Sequence, residues 1–215
     1  MSTLTLYHLP YSHFSAKAKV VLIEKGVEFD AQNIHELGDT PYSDINPAAQ
    51  VPFLVADDLQ LGESEVIVEW LNDAYPEPAM LPQSSDEKAR SRLATRIHDL
   101  YVAPDLSVLF GQLGAEERDA DLIEATTDNI AMRLQAVEGL LSDGPYFSGE
   151  QFGIADASFA MSIWYSYWLF DQLGTSEKLA PLTKLQSWFA ALEERPSVKC
   201  VFDECKVALG MSEAA

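Results

Sequence analysis

Three prolines within seven residues, Pro76, Pro78 and Pro82, divide this chain of 215 residues into two unlike parts. Proline fixes φ and has no N–H to donate, so no helix or strand runs through such a stretch, which acts as a stiff connector. Upstream, Leu4-Thr5-Leu6-Tyr7 reads as a short strand ended by Pro10. Residues 15–25 have strong helical propensity and Gly26 supplies the stop. Residues 27–34 alternate apolar and polar, so they read as a second strand. Strand, helix, strand is a βαβ unit, with parallel pairing and a right-handed crossover. A loop with Gly38, Pro41 and Pro47 leads to a hairpin, 51–55 and 59–61, turned at Asp57-Asp58, and then to a helix over 64–75. Downstream of the connector the strand signals vanish. Helices are expected over 86–113 (bent at Pro104), 115–141, 154–170, 182–194 and 196–209, the third being aromatic-rich and central, and the terminal SEAA is expected to fray. The reading is an α/β domain over 1–76, a linker over 77–85 and an all-helical domain over 86–215.

Charge narrows the function. Fourteen basic against 34 acidic side chains give −20, a field that repels nucleic acid and anionic membranes. The one basic cluster, Lys88, Arg90, Arg92 and Arg96, reads as the solvated face of a helix, and His98 beside it as solvated too. There is no basic segment followed by an apolar run at the N-terminus, and no apolar stretch approaches the ~20 residues that span a bilayer. Cys200 and Cys205 have neither CxxC nor metal-ligand spacing and would point different ways on a helix. These features predict a cytoplasmic protein with reduced thiols, no metal, and neither nucleic acid nor membrane as partner.

The segment 46–64, NPAAQVPFLVADDLQLGES, has the makings of a ligand receptor. Pro52 cannot donate to a ladder and belongs where the chain enters the sheet, which leaves the backbone of Val51 to pair with an outside, peptide-like ligand. Ser64 opens a helix, whose N-terminus offers unpaired N–H groups and a dipole that favours an anion. A strand edge beside a helix N-terminus suits an extended peptide bearing a carboxylate.

The order βαβ, ββα, proline linker, all-helical domain resembles the soluble glutathione transferase family over essentially the whole chain. Local sequences carry the resemblance: NPAAQVPFL, where the family has a cis-proline at the position of Pro52; Glu63-Ser64 followed by VIVEWLNDAYP after Glu65; and Gly153-Ile154-Ala155-Asp156, similar to the family's N-capping box but with glycine in place of the usual Ser or Thr. The resemblance implies a thioredoxin-like first domain that binds glutathione, with Val51 pairing the cysteinyl backbone, Glu63 taking the γ-glutamyl ammonium, and Ser64 with its helix N-terminus taking the carboxylate. The family offers a basic side chain to the glycine carboxylate. Here position 50 is Gln50, and the segment before Pro47 offers only His35.

Glutathione chemistry needs a thiolate, although a free thiol titrates near ~8.5. A hydroxyl donor near a helix N-terminus favours the anion. Ser12-His13-Phe14-Ser15 resembles the serine-type classes and puts Ser12 in that role, with Tyr11, Ser15 and Tyr7 as alternatives; Ser15 also fits a plain N-cap. The acceptor pocket is expected between the domains, walled by Tyr11, Tyr101, Leu106 and Phe110, while Trp164 and Trp168 read as core. The resemblance implies a homodimeric detoxification enzyme that transfers the glutathione thiol to a small hydrophobic electrophile by conjugation, dehalogenation or isomerisation. A second resemblance, of PYSHFSAKAKVVLIEKGVEF and ARSRL to stringent starvation protein A, implies instead an RNA polymerase-associated factor without glutathione chemistry, and a glutathione-binding protein without turnover is the third reading.

Overall fold

The computed structural model describes residues 4–211, so the terminal SEAA lies outside the described residues. The chain divides into two compact units: the residues up to Met80 together with those from Arg195 onward, and Leu81–Glu194.

The first unit is built on a four-stranded sheet of β1 (Leu4–His8), β2 (Phe29–Asn33), β3 (Phe53–Ala56) and β4 (Leu59–Leu61), in the order β2-β1-β3-β4. Strands β1 and β2 are parallel; β3 is antiparallel to both β1 and β4. Helix α1 (His13–Glu24) makes the crossover between the parallel strands, a short α2 (Tyr42–Ile45) precedes β3, and α3 (Ser64–Ala74) follows β4. Leu4 and Leu6 alternate inward along β1 and join Leu54, Val20, Val21, Ile67 and Leu71 in a dry core. This is the thioredoxin-like arrangement expected.

The C-terminal helix α9 (Pro196–Ala208) also belongs to this unit, whereas the sequence reading grouped it with the helical domain. Two charged contacts hold it on α1. The Glu24 carboxylate accepts from Arg195 Nε and Nη2 at 2.9 and 2.6 Å and from the Ser197 hydroxyl. Lys19 Nζ reaches both carboxylate oxygens of Glu204 at 2.7 and 2.6 Å. Of the two free cysteines, Cys200 is exposed and Cys205 buried.

The second unit is helical: α4 (Ser85–Ile97), α5 (Ala103–Leu113), α6 (Ala120–Glu138), α7 (Ile154–Leu173) and α8 (Thr183–Glu193). The bend expected at Pro104 is realised one turn earlier, as a π-helical turn at His98–Val102 in which the Ala103 N–H bonds to His98 O. Pro104 has no N–H for the carbonyl four residues before it, so the ladder widens. The turn brings His98 inward: it is wholly buried, contrary to the solvated position expected, with Nδ1 2.7 Å from Asp99 Oδ1 and Nε2 2.7 Å from Ser162 Oγ on α7.

Helix α7 is buried nearly all round. At its start Asp156 reaches back to the Gly153 N–H (2.8 Å), which completes the carboxylate half of the capping box. Its other oxygen accepts from Phe147 N and Trp188 Nε1 at 2.8 and 2.6 Å, which ties the preceding loop and α8 to the same helix. Among the described residues no helix is long and apolar enough to cross a membrane, and no group of three His, Cys, Asp or Glu is placed to hold a metal ion.

Candidate active site

Strand register brings the candidate residues of the first unit to one end of the sheet. In the parallel pair, His8 lies opposite Asn33, so the loop after β1, with Tyr11 and Ser12, and the turn after β2, with His35, leave at the same end. In the antiparallel pair Tyr7 lies opposite Phe53, so Pro52 and Val51 approach β3 from that end. Leu54 lies opposite Leu61, so Glu63 and Ser64 leave β4 there as well. Ser12, His35, Gln50, Val51, Pro52, Glu63 and Ser64 thus converge although they come from four chain segments.

Each segment has its own device. Ser12 is the N-cap of α1: its Oγ accepts from the Ser15 N–H at 3.2 Å, while its own proton has no acceptor among the described residues. Ser15, the alternative cap, is buried one turn in, with its Oγ accepting from Leu9 N at 3.3 Å. Tyr7 packs its ring against Tyr42. Tyr11 is exposed and its hydroxyl meets His35 Nε2 at 3.0 Å. Beneath them, burial and then the Lys19 charge lower the pKa of His8 to about 4, so its ring is neutral near pH 7.

The approach to β3 is fixed by Tyr42, which the sequence reading does not single out, and by Asn46, which heads the segment 46–64. The Gln50 carbonyl accepts from the Tyr42 hydroxyl at 2.7 Å and from Asn46 Nδ2 at 2.9 Å. The buried Asn46 also accepts from Ala48 N at 3.1 Å, an Asx turn for which the Asn-Pro dipeptide is the sequence signal. Ala49 takes a positive φ of 52° in this turn. With the Gln50 carbonyl clamped, Val51 lies beyond the last paired residues of β3, and the Val51–Pro52 bond is cis, as the resemblance implies. The Gln50 side chain is exposed.

Glu63 has φ 62° and ψ 113°, a conformation rare for a residue with a side chain and one that costs of order 1–3 kcal/mol. It turns the chain sharply into α3, so the exposed Glu63 side chain makes no cap bond and Ser64 starts the helix with its side chain buried. The first N–H groups of α3 have no partner within the helix. This end of the sheet therefore presents the unpaired backbone of Val51, the start of α3 at Ser64, the Glu63 carboxylate and the Ser12 hydroxyl.

The remaining candidates lie in the helical unit. Leu106 is wholly buried in its core and forms no part of an open wall, a correction to the sequence reading: near the start of α5, two residues after Pro104, it faces inward. Tyr101 is exposed, with the Arg133 guanidinium 4.5 Å from its ring centre. Phe110 is half-buried and meets Tyr165 edge-on at 4.7 Å. Trp164 and Trp168, expected in the core, are half-buried and stacked with ring centres 6.3 Å apart, because their four-residue spacing sets them on one face of α7 at the edge of its contact with α5.

Comparison with known proteins agrees with this architecture. The model of the glutathione S-transferase N-terminal domain matches residues 6–79, and that of the C-terminal domain matches 80–196. A stringent starvation protein A homolog from Coxiella burnetii (strain RSA 493 / Nine Mile phase I) is 29% identical over 166 residues, 76% of either chain. Glutathione S-transferase F10 from Arabidopsis thaliana is 25% identical over 207 residues, 91% of this chain and 94% of that one. The crystal structure of glutathione transferase Omega 3C from Trametes versicolor shares the fold with a TM-score of 0.77 at 24% identity, over 92% of this chain and 88% of that one. With both domain models matched in order across residues 6–196, the chain belongs to the glutathione S-transferase family.

Proposed function

We propose that this protein is a glutathione transferase in which Ser12 stabilises the glutathione thiolate for attack on a small hydrophobic electrophile. The observation that carries the reading is the state of the Ser12 hydroxyl. Its oxygen is occupied by the Ser15 N–H, so its proton is left for an acceptor at the N-terminus of a 12-residue helix. A hydroxyl donor and a helix dipole together lower a thiol pKa from ~8.5 toward neutrality. Val51 pairs the cysteinyl backbone, Ser64 and the α3 N-terminus take the γ-glutamyl carboxylate, Glu63 takes its ammonium, and His35, held by Tyr11, faces the glycine carboxylate in place of a basic group at Gln50. Conjugation, dehalogenation and isomerisation all begin from this thiolate. Family membership supports a cytoplasmic homodimer, which the elution volume of the native protein tests.

The test is calorimetric titration with reduced glutathione, on wild type and Ser12→Ala, with a thiol-conjugation assay. Ser12→Ala should bind glutathione within about twofold of wild type and lose roughly 10²-fold in kcat, the cost of one donor aimed at a developing anion. Equal turnover in the variant would exclude Ser12 as the donor.

Gln50, in place of a basic side chain, and the likeness to a stringent starvation protein A homolog favour a second reading, a transferase-fold protein without this chemistry. Glutathione binding without turnover supports a carrier; no binding at millimolar glutathione supports a protein-partner role of the stringent-starvation kind.

A further inference from the structure

Lys17 is a lysine with no exposed side-chain surface, and buried lysines stay charged only when paired. Its Nζ forms an ion pair with Glu65, the residue after Ser64 in the first turn of α3. Lys17 is also about a turn and a half from Ser12, and side chains on a helix lean toward its N-terminus. The pair therefore ties the N-terminal end of α1, which carries the proposed thiolate donor, to the N-terminal end of α3, which carries the proposed carboxylate site.

A carboxylate in the first turn of α3 suits the helix dipole but opposes an anionic ligand bound at the same terminus. The field of the whole chain, at −20, acts in the same direction. We propose that Lys17 is a positioning residue for the γ-glutamyl end of glutathione: by neutralising Glu65 it keeps the α3 N-terminus open to the ligand carboxylate. The proposal rests on the glutathione reading above. Lys17 touches no ligand in this scheme; it acts through Glu65. The inference separates two adjacent acids by role: Glu63, exposed and without a cap bond, is left for the ligand ammonium, whereas Glu65 is taken up by Lys17.

The test is a double-mutant cycle on the full chain with Lys17→Met, Glu65→Gln and both together, with melting temperatures recorded for each. Titrations use reduced glutathione, γ-glutamylcysteine and cysteinylglycine, the last lacking the γ-glutamyl group. Lys17→Met should weaken glutathione and γ-glutamylcysteine by at least ~10-fold and leave cysteinylglycine within about twofold, because loss of the Lys17 counter-charge lets Glu65 repel only a ligand with a carboxylate there. The double variant, with the Glu65 charge removed, should return to within about threefold of wild type, and Glu65→Gln alone should bind no more weakly than wild type. If Lys17→Met does not fold, the two variants carrying Glu65→Gln decide the matter. A folded Lys17→Met that binds glutathione within about twofold of wild type overturns the proposal, as does equal loss on all three ligands or a ~10-fold loss in Glu65→Gln. Wild type that binds no glutathione overturns the glutathione reading as well, so the two failures are distinguishable.

Discussion

The Tyr11 hydroxyl lies 3.0 Å from Nε2 of His35, and the two rings stack with centres 6.4 Å apart. One residue comes from the loop between β1 and α1, the other from the turn after β2. The contact anchors the one basic side chain that the proposed site offers in the place of Gln50. Tyr11→Phe keeps the stacked ring and removes a hydrogen bond between exposed groups, worth at most ~1 kcal/mol of stability. The expected outcome is a glutathione affinity lowered about two- to fivefold with kcat retained, the signature of lost ground-state binding. A collapse of kcat at unchanged affinity would move the thiolate donor from Ser12 to Tyr11.

Asp156 joins three parts of the helical unit, and its replacement by Asn is the second prediction. An amide has one acceptor oxygen, so if it serves Phe147 N and Trp188 Nε1 its NH2 faces the Gly153 N–H. At pH 7 the loss should be ~1–3 kcal/mol, the usual cost of a buried donor without a partner. Burial pushes the carboxyl from 3.8 up to about 6 against these donors. The folded state then holds the proton more tightly than the unfolded chain, so the contribution of this group falls as pH rises from about 4 to about 6 and is flat above. Melting curves at pH 5 and pH 7 should show the gap between wild type and Asp156→Asn wider at pH 5. A wider gap at pH 7 would show that the carboxylate is stabilised where it sits.

The fold class was legible because local signals agree: alternation at Leu4 and Leu6, propensity from Ser15 onward, and the loss of strand signals beyond the prolines at 76, 78 and 82. The hairpin and helix within residues 46–64 were legible for the same reason, since Pro52, Glu63 and Ser64 mark the ends of elements. What was not legible depends on contacts between distant residues. Helix α9 packs on α1 through Glu24–Arg195 and Lys19–Glu204, separated by 171 and 185 residues, and nothing near Arg195 signals this partner. His98 is among arginines in sequence, yet the π turn before Pro104 rotates it onto Ser162. Leu106 is more buried and Trp164 less buried than expected because periodicity identifies a face without saying what covers it.

The His98–Ser162 contact gives the third prediction. Ser158 and Ser166 donate to carbonyls of their own helix, at Ile154 and Ser162, which already belong to the helical ladder. Ser162 instead meets His98 Nε2 at 2.7 Å, in a pair with no exposed surface. Ser162→Ala should therefore cost ~1–3 kcal/mol, and Ser158→Ala and Ser166→Ala less than ~1 kcal/mol each, as judged by chemical denaturation. Three equal losses would mean that the histidine contact contributes nothing beyond packing.

His8 sets a pH dependence of the opposite sign to that of Asp156. Burial first, and the Lys19 charge second, lower its pKa from 6.5 to about 4, against the smaller opposing effects of Glu204 and Glu36. The unfolded chain therefore binds the proton more tightly, and protonation at low pH favours unfolding. Stability contributed by the neutral ring is complete above pH 6.5 and is lost as pH falls toward about 4. At 1.36 kcal/mol per pKa unit the full change is about 3 kcal/mol. Across the window from pH 4 to 6 this rise opposes the fall due to Asp156, so the wild-type profile from these two groups is nearly flat. His8→Gln should uncover the Asp156 slope, with unfolding free energy that decreases as pH rises from 4 to 6. Urea unfolding of both proteins at pH 4.5, 5.5 and 7 measures the difference, which should grow with pH in favour of wild type. A difference constant across the three values would mean that His8 is solvated or paired well enough to titrate normally.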